Sequence, residues 1–198
     1  MIIYHVSFMK EYSMMESLKA GDVAVAAFLA YIRSLDPQAL IMSVEDDLEY
    51  QKAGIDFIVI FHDGRALTFE VKGDLKTPET GNIVLEIISN ENKNTPGWAK
   101  YSRANILFYA ALKHVDGKIR FDFGYNLNMQ KLRRWLADNE DRCRICRKTT
   151  VNDYNRQPLY QTVFALYPID KLAEALDNSS RVEFDRDKKM FLTKRKPQ

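Results

Sequence analysis

Cysteine and histidine are scarce in this chain: 198 residues contain two cysteines, Cys143 and Cys146, and three histidines, His5, His62 and His114. A zinc ribbon needs two cysteine pairs or a close histidine pair, and these histidines stand far apart in sequence. Free thiols in a reducing compartment are therefore expected, the alternative being a zinc shared between two chains through Cys143 and Cys146. Long apolar runs are also missing. The longest, Val23 to Ile32, falls well short of the ~20 residues a membrane span needs. The first ten residues carry no basic n-region and no small-residue cleavage site, so a cytoplasmic protein is expected. No Gly-rich phosphate loop and no Gly-x-Ser-x-Gly elbow occur, and the scattered histidines speak against a Ser-His-Asp triad. Repeats, low-complexity linkers and helix-turn-helix or RNA-binding signatures are absent as well.

What is present is the composition of a soluble globular protein, with 46% apolar and 28% charged residues. A single domain over residues 1–198 is expected, burying roughly two-thirds of its unfolded surface. Net charge is only +2, but its distribution is uneven: residues 1–100 hold 9 Lys/Arg against 15 Asp/Glu, and the remainder 20 against 12. An acidic first half beside a basic second half suits a metal-dependent enzyme acting on a polyanion, although unevenly spread solvated charge gives the same numbers.

Periodicity predicts a helix from about Met14 to Ser34, with Met15, Leu18, Val25, Leu29 and Ile32 on one stripe and Asp22 filling its gap. Asp36-Pro37 ends it, because the residue before proline is pushed out of the helical region. A short segment near Leu40 to Val44 and the acidic turn Glu45-Asp46-Asp47 follow. Apolar, β-branched runs at Ile55–Phe61, Ala66–Val71 and Ile83–Ile88 predict a three-stranded antiparallel meander. Strands at Asn105–Leu112 and Lys118–Tyr125 meet at an Asp116-Gly117 turn, and Asn128 caps a helix over Met129–Ala137. Asn139 to Gln157 reads as basic and irregular. A strand at Tyr160–Tyr167, a helix at Pro168–Leu176 and a strand near Arg181–Phe184 complete the chain.

Chemistry concentrates in Gly54-Ile55-Asp56 and, beyond a strand and a turn, Glu70-Val71-Lys72. Residues two apart on a strand face the same way, so Glu70 and Lys72 share a face. Asp56 joins them only if the hairpin register allows it. A two-residue Asp63-Gly64 loop sets Asp56 opposite Val71, on the wrong side, whereas a three-residue His62-Asp63-Gly64 loop ending in a left-handed glycine sets it opposite Glu70. The chemistry demands the second loop, or a bulge. Clustered carboxylates are costly unless a cation neutralises them, and hard oxygen ligands suit Mg²⁺ or Mn²⁺. The bland alternative for Lys72 is a surface salt bridge to Glu70.

Gly-Ile-Asp56, thirteen residues, then Glu70-Val-Lys72 after a long helix resembles the PD-(D/E)xK nuclease superfamily. The resemblance implies a restriction-endonuclease-like α/β fold: an αβββαβ core over about residues 14–112, a mixed central sheet flanked by helices, and a basic C-terminal strand and helix elaboration over 113–198. It implies Asp56 and Glu70 as metal ligands and Lys72 as the catalytic lysine. Ile55 stands where the superfamily's name has proline, a position that varies widely in it. Members similar to Holliday junction resolvases add an acidic residue from the first helix, which points to Asp22, whose alternative is a helix cap. Glu86 is a second auxiliary metal ligand by this reading, its alternative being an exposed edge position. Gln51 resembles a glutamine found near this site in some members.

Nucleic-acid contacts are expected from Trp98, Lys100 and Arg103 in one aromatic and cationic segment, and from Arg133, Arg134, Arg144 and Arg147 farther on. Lys188, Lys189, Lys194, Arg195 and Lys196 add a basic tail. Trp98 in a core and a merely solvated basic surface are the structural alternatives. The expected activity is Mg²⁺-dependent hydrolysis of duplex or branched DNA by a structure-specific or repair endonuclease, such as a junction resolvase. An exonuclease, a restriction-type enzyme and a binding module on a nuclease-like scaffold are the alternatives. A homodimer is expected if the substrate is a duplex or junction.

Overall fold

The computed structural model describes residues 14–151, 157–177, 179–185 and 190–194. Helix α1 (Met14–Leu35) stops just before Asp36-Pro37, and the Asp36 carboxylate takes the Gln38 N–H at 3.0 Å to hold the turn. Strand β1 (Leu40–Ser43) leads to α2 (Leu48–Ala53), capped by the Asp47 side chain. Strands β2 (Phe57–Ile60) and β3 (Ala66–Asp74) form the next hairpin. A short helix α3 (Thr77–Thr80) then carries the chain to β4 (Asn82–Asn90), β5 (Thr95–Pro96) and α4 (Trp98–Tyr101). Strands β6 (Ile106–Val115) and β7 (Lys118–Asn128) meet at Asp116-Gly117, where both residues have positive φ. Helix α5 (Met129–Asn139) begins with Asn128 accepting the Lys131 N–H at 2.9 Å. Strands β8 (Arg144–Val151) and β9 (Pro158–Pro168), helix α6 (Ile169–Ala175), and strands β10 (Ser180–Asp185) and β11 (Met190–Lys194) follow.

The architecture is mixed α/β. Seven strands form a curled sheet in the order β1-β2-β3-β6-β7-β10-β11, and four form a second in the order β5-β4-β9-β8. Within the larger sheet, β3 and β6 run parallel while the other pairs are antiparallel. Leu107 through Leu112 are all buried, as expected of a central strand covered on both faces. One face packs Phe57, Phe69, Val71, Phe108 and Ala110 against α1. The other packs Leu107, Tyr109 and Leu127 against α5, α6 and the inner residues of β4 and β9.

Four expectations are corrected. The segment Ile83–Ile88 does not complete a meander with the hairpin: β4 pairs with β5 and β9 in the second sheet. The buried Tyr109 hydroxyl fastens the two ends of the connection, donating to Asp74 at 2.8 Å and accepting the Val84 N–H at 3.1 Å. Residues 144–151, read as irregular, form β8, and residues 190–194 add β11. The stripe of α1 is also displaced. Ala20, Ala24, Ala27, Phe28, Tyr31 and Ile32 are buried, whereas Leu18 is 56% exposed. The cause is close approach, since a Cβ at Gly73 would lie 2.8 Å from the Ala20 carbonyl and 2.9 Å from the Ala24 Cβ. Such a contact selects alanine over bulky side chains. Lys188, Lys189, Arg195 and Lys196 lie outside the described residues, and Lys194 pairs with Glu183 at 2.6 Å.

Candidate active site

The hairpin register follows the three-residue loop. The Phe61 N–H donates to Arg65 O at 2.9 Å, Gly64 takes φ +83°, and Ile60 pairs with Ala66 and Phe57 with Phe69. The next position back from the Phe57–Phe69 pair sets Asp56 opposite Glu70. Strand β2 pairs only with residues 66–69 of β3, so its departure leaves the Val71 N–H without a ladder carbonyl. The Asp56 carboxylate supplies the acceptor at 2.7 Å, while the Asp56 N–H donates to Phe69 O at 2.8 Å. One carboxylate is thereby fixed at the point where the strands separate.

Glu70 is 2% exposed. Its Oε1 lies 2.5 Å from Lys72 Nζ, and its Oε2 is buried with no hydrogen-bond partner among the described residues. Burial pushes its pKa up to about 7, with the Lys72 ammonium opposing the rise and the Asp56 charge adding to it. Burial also works against the charge on Lys72, but Glu70 and Asp56 outweigh it and hold the amine above its ordinary value. The ion pair between Lys72 and Glu70 is present, but its carboxylate is buried, so it is not the solvated surface pair of the structural alternative.

Two further groups come from the segment after β3. Glu86, on β4, is half-buried and takes a hydrogen bond from the Trp98 N–H at the start of α4. Burial raises its pKa, and the Lys72 charge pulls it back. It occupies an inner strand, not an edge. Tyr101, at the end of α4, is 36% exposed. Burial raises its phenol, as do the charges of Glu70, Glu86 and Asp56, against Lys72. Three acids, one amine and one phenol, carried by the turn into β2 and by β3, β4 and α4, therefore act on one another. The sequence reading chose Trp98 over Tyr101, the other aromatic of the same segment, because the packing of α4 decides which of the two faces the carboxylates.

Asp22 is not brought to this cluster. It is exposed on α1, which covers the opposite face of the sheet, and it lines a shallow groove with Lys19, His114 and Lys118. Among the described residues, no group of three His, Cys, Asp or Glu is arranged to hold a metal ion. The donor set is instead the paired carboxylates of Asp56 and Glu70. That set fits Mg²⁺ or Mn²⁺, because such ions are commonly held by one or two carboxylates plus waters. The orphaned Glu70 Oε2, buried without a donor, is the atom such an ion would satisfy.

The expected nucleic-acid contacts divide. Trp98 is 8% exposed and belongs to the core, so it offers no face to a base. Gln51 is exposed on α2, its amide 3.5 Å from Glu45 O. Arg103 is exposed, and its N–H donates to Ala53 O at 2.7 Å beside the turn into Asp56. Lys100 pairs with Glu140 at 2.8 Å, and the half-buried Arg133 donates to the Ser102 carbonyl, so both are engaged within the fold. Arg134 is exposed on α5. Arg144 is exposed on β8, and Arg147, on the same edge strand, pairs with Glu91 at 3.1 Å. Cys143 and Cys146 are free, and burial pushes the Cys143 thiol up. Comparison with family models, curated proteins and solved structures finds no match to this chain.

Proposed function

We propose that this protein is a divalent-metal-dependent phosphodiesterase that cleaves DNA at the Asp56, Glu70 and Lys72 cluster, as an endonuclease of the structure-specific or repair type. The observation that carries the reading is Glu70: a buried carboxylate set opposite a second one, held by a lysine two residues on, with one oxygen left unpartnered. The order of elements supports it. Helix α1, the antiparallel strands β1, β2 and β3 with α2 inserted between the first two, a crossover through α3, β4, β5 and α4, and β6 parallel to β3 are compatible with the αβββαβ order of the PD-(D/E)xK nucleases that the motif resembles.

Asp56 and Glu70, with Glu86 as an auxiliary, would hold Mg²⁺ or Mn²⁺, which when bound supplies Lewis-acid polarisation of a phosphoryl oxygen and a water of lowered pKa. The remaining roles belong to the chain. Lys72 uses one of its three donors on Glu70. Its other donors and its positive charge are available to an anionic oxygen or an attacking water, where a fixed cation stabilises developing charge. Asp56 is positioned by the Val71 N–H, so the carboxylate pair is set before substrate arrives. Arg103, exposed and held to Ala53 beside the turn into Asp56, and the exposed Arg134 of α5 would supply phosphate contacts that position the duplex or branched DNA.

The test is to incubate the purified protein with supercoiled, linear, single-stranded and four-way-junction DNA, with and without Mg²⁺. Mg²⁺-dependent cleavage of the circular or branched substrate, lost in Glu70→Gln, is the expected result. Degradation confined to free ends assigns an exonuclease instead. Binding without cleavage of any substrate overturns the enzymatic reading and leaves a binding module. Light scattering checks the associated expectation of a homodimer, since one such site cuts one strand.

A further inference from the structure

The second sheet has two unlike faces. Successive residues of a strand alternate between the faces, and residues directly opposite on antiparallel strands share one. Ile83 and Leu85 of β4 and Val163 and Ala165 of β9 take the inner face, where they are buried in one core with residues of α5 and α6. Their neighbours Val84, Glu86, Phe164 and Leu166 therefore take the outer face, with Val84 opposite Leu166 and Glu86 opposite Phe164. On β8 the same face carries Arg144, opposite Leu166, and Lys148, opposite Thr162. Val84, Phe164 and Leu166 are half-buried, yet they belong to neither core.

One end of this apolar stripe lies at the acidic cluster. The Val84 N–H on the Tyr109 hydroxyl at 3.1 Å sets β4 against the larger sheet, and Tyr109 is the register partner of Lys72. Glu86, two residues on, borders both features: it stands opposite Phe164, and its charge acts together with those of Lys72 and Glu70. The other end is cationic. Arg144 and Lys148 are exposed on an edge strand, about 10 Å from β4 at the usual strand spacing. Their side chains have no hydrogen bond or ion pair among the described residues. Arg147, on the inner face, is the cation of β8 that is spent, on Glu91.

An apolar stripe between a carboxylate cluster and two uncommitted cations restricts what can lie on it. Duplex DNA presents its backbone and leaves Val84, Phe164 and Leu166 unused. An unpaired strand offers base faces to the apolar side chains and phosphates to the flanking cations. A second copy of the chain would bring two more cations to a face whose one acid, Glu86, already holds the Trp98 N–H. Resting on the phosphodiesterase reading, we infer that this face carries an unpaired strand of the substrate away from the cleaved bond, with a base stacked on Phe164 and phosphates at Arg144 and Lys148. The preferred substrate is then branched DNA with a single-stranded arm, not continuous duplex.

Fluorescence anisotropy in EDTA, with a labelled thymidine oligonucleotide of about 12 nucleotides and a duplex of the same length, separates binding from cleavage. The single strand should bind the more tightly. Phe164→Leu keeps apolar bulk but removes the ring; it should weaken the single strand about tenfold and leave the duplex unchanged, while Phe164→Trp restores the affinity. Arg144→Gln with Lys148→Gln should flatten the salt dependence of single-strand binding by about 1.4 in log–log slope, at roughly 0.7 per phosphate. Both cations are exposed, so this variant retains the fold and decides the matter if Phe164→Leu does not fold. Equal affinity for the two probes, wild-type binding by Phe164→Leu, or an unchanged slope overturns the proposal. So does a dimer that Phe164→Leu dissociates in light scattering, which would make this face a contact between copies. Failure of the underlying reading shows separately: a wild type that cuts no DNA with Mg²⁺ while the Phe164 effect persists overturns the phosphodiesterase and keeps the single-strand site.

Discussion

Glu70 makes the stability of the metal-free protein depend on pH in a calculable way. Its pKa stands at about 7 in the folded chain against an ordinary value of 4.5. The folded state therefore holds the Glu70 proton more tightly than the unfolded state does. The stability linked to that proton is fully present below 4.5 and is lost as pH rises through about 7. Over this window the loss is about 3 kcal/mol, from 1.36 kcal/mol per unit of pKa difference. Glu70→Gln keeps the shape of the protonated acid and an oxygen for Lys72 but does not ionise. The variant and the wild type should be nearly equally stable at pH 4.5, and at pH 8 the variant should be more stable by about 3 kcal/mol. For a chain of this length that is roughly 6–12 °C in melting temperature. Urea denaturation of both proteins in EDTA at a series of pH values measures the difference directly. Parallel stability curves would refute the reasoning, because they would mean that the ionised carboxylate loses nothing on folding and that the site is wet. Mg²⁺ added at pH 8 should close part of the gap by stabilising the wild type selectively.

Lys72→Ala should reduce cleavage by roughly 10²–10³-fold or more while DNA affinity is retained, as cleavage and filter-binding assays on one substrate will show. Because Lys72 offsets the buried Glu70 charge, its melting temperature should fall at pH 8 and hardly change at pH 5. Reversing the exposed Arg134 and Arg144 to glutamate should weaken DNA binding for all sequences and flatten the slope of log affinity against log salt by roughly 2; an unchanged slope assigns the contact to another surface. Arg133→Glu, by contrast, breaks the tether to the Ser102 carbonyl and should lower thermal stability as well as affinity. Gly73→Ala should destabilise by roughly 1–3 kcal/mol in urea titrations, since the new methyl meets the backbone of α1.

The local rules in the sequence carried much of the fold. Asp36-Pro37 ends α1, Asn128 caps α5, Met129, Leu132 and Leu136 are the buried stripe of that helix, and Asp116-Gly117 turns β6 into β7. What failed depends on relations between distant segments. The contact face of α1 is set by how near Gly73 lets the helix come, so alanines mark it and the bulkier Leu18 does not. Strand β8 has exposed Arg144, Ile145, Arg147 and Lys148. An edge strand wet on both faces shows no alternation to read.

The site divides along the same line. Glu70 and Lys72 are legible because a period of two is enough to put them together, whereas for Asp56 the sequence left two loops open and only the register of the structure sets it opposite Glu70. Glu86 could be named as a candidate but not placed, since its position depends on β4 leaving the first sheet for the second. Tyr101 was legible only as one of two aromatics in residues 94–103 and was not singled out. It feels the charges of the carboxylates from the end of α4, whose first residue, Trp98, bonds Glu86 through its N–H. The buried Trp98 that the composition offered as a stacking surface is thus the residue whose backbone ties Glu86 to α4, while its ring sits in the core. Composition offered the segment as a nucleic-acid contact, and the structure instead sets its Tyr101 beside the acidic cluster. Which of its two aromatics faces the carboxylates was decided by the packing of one sheet against the other.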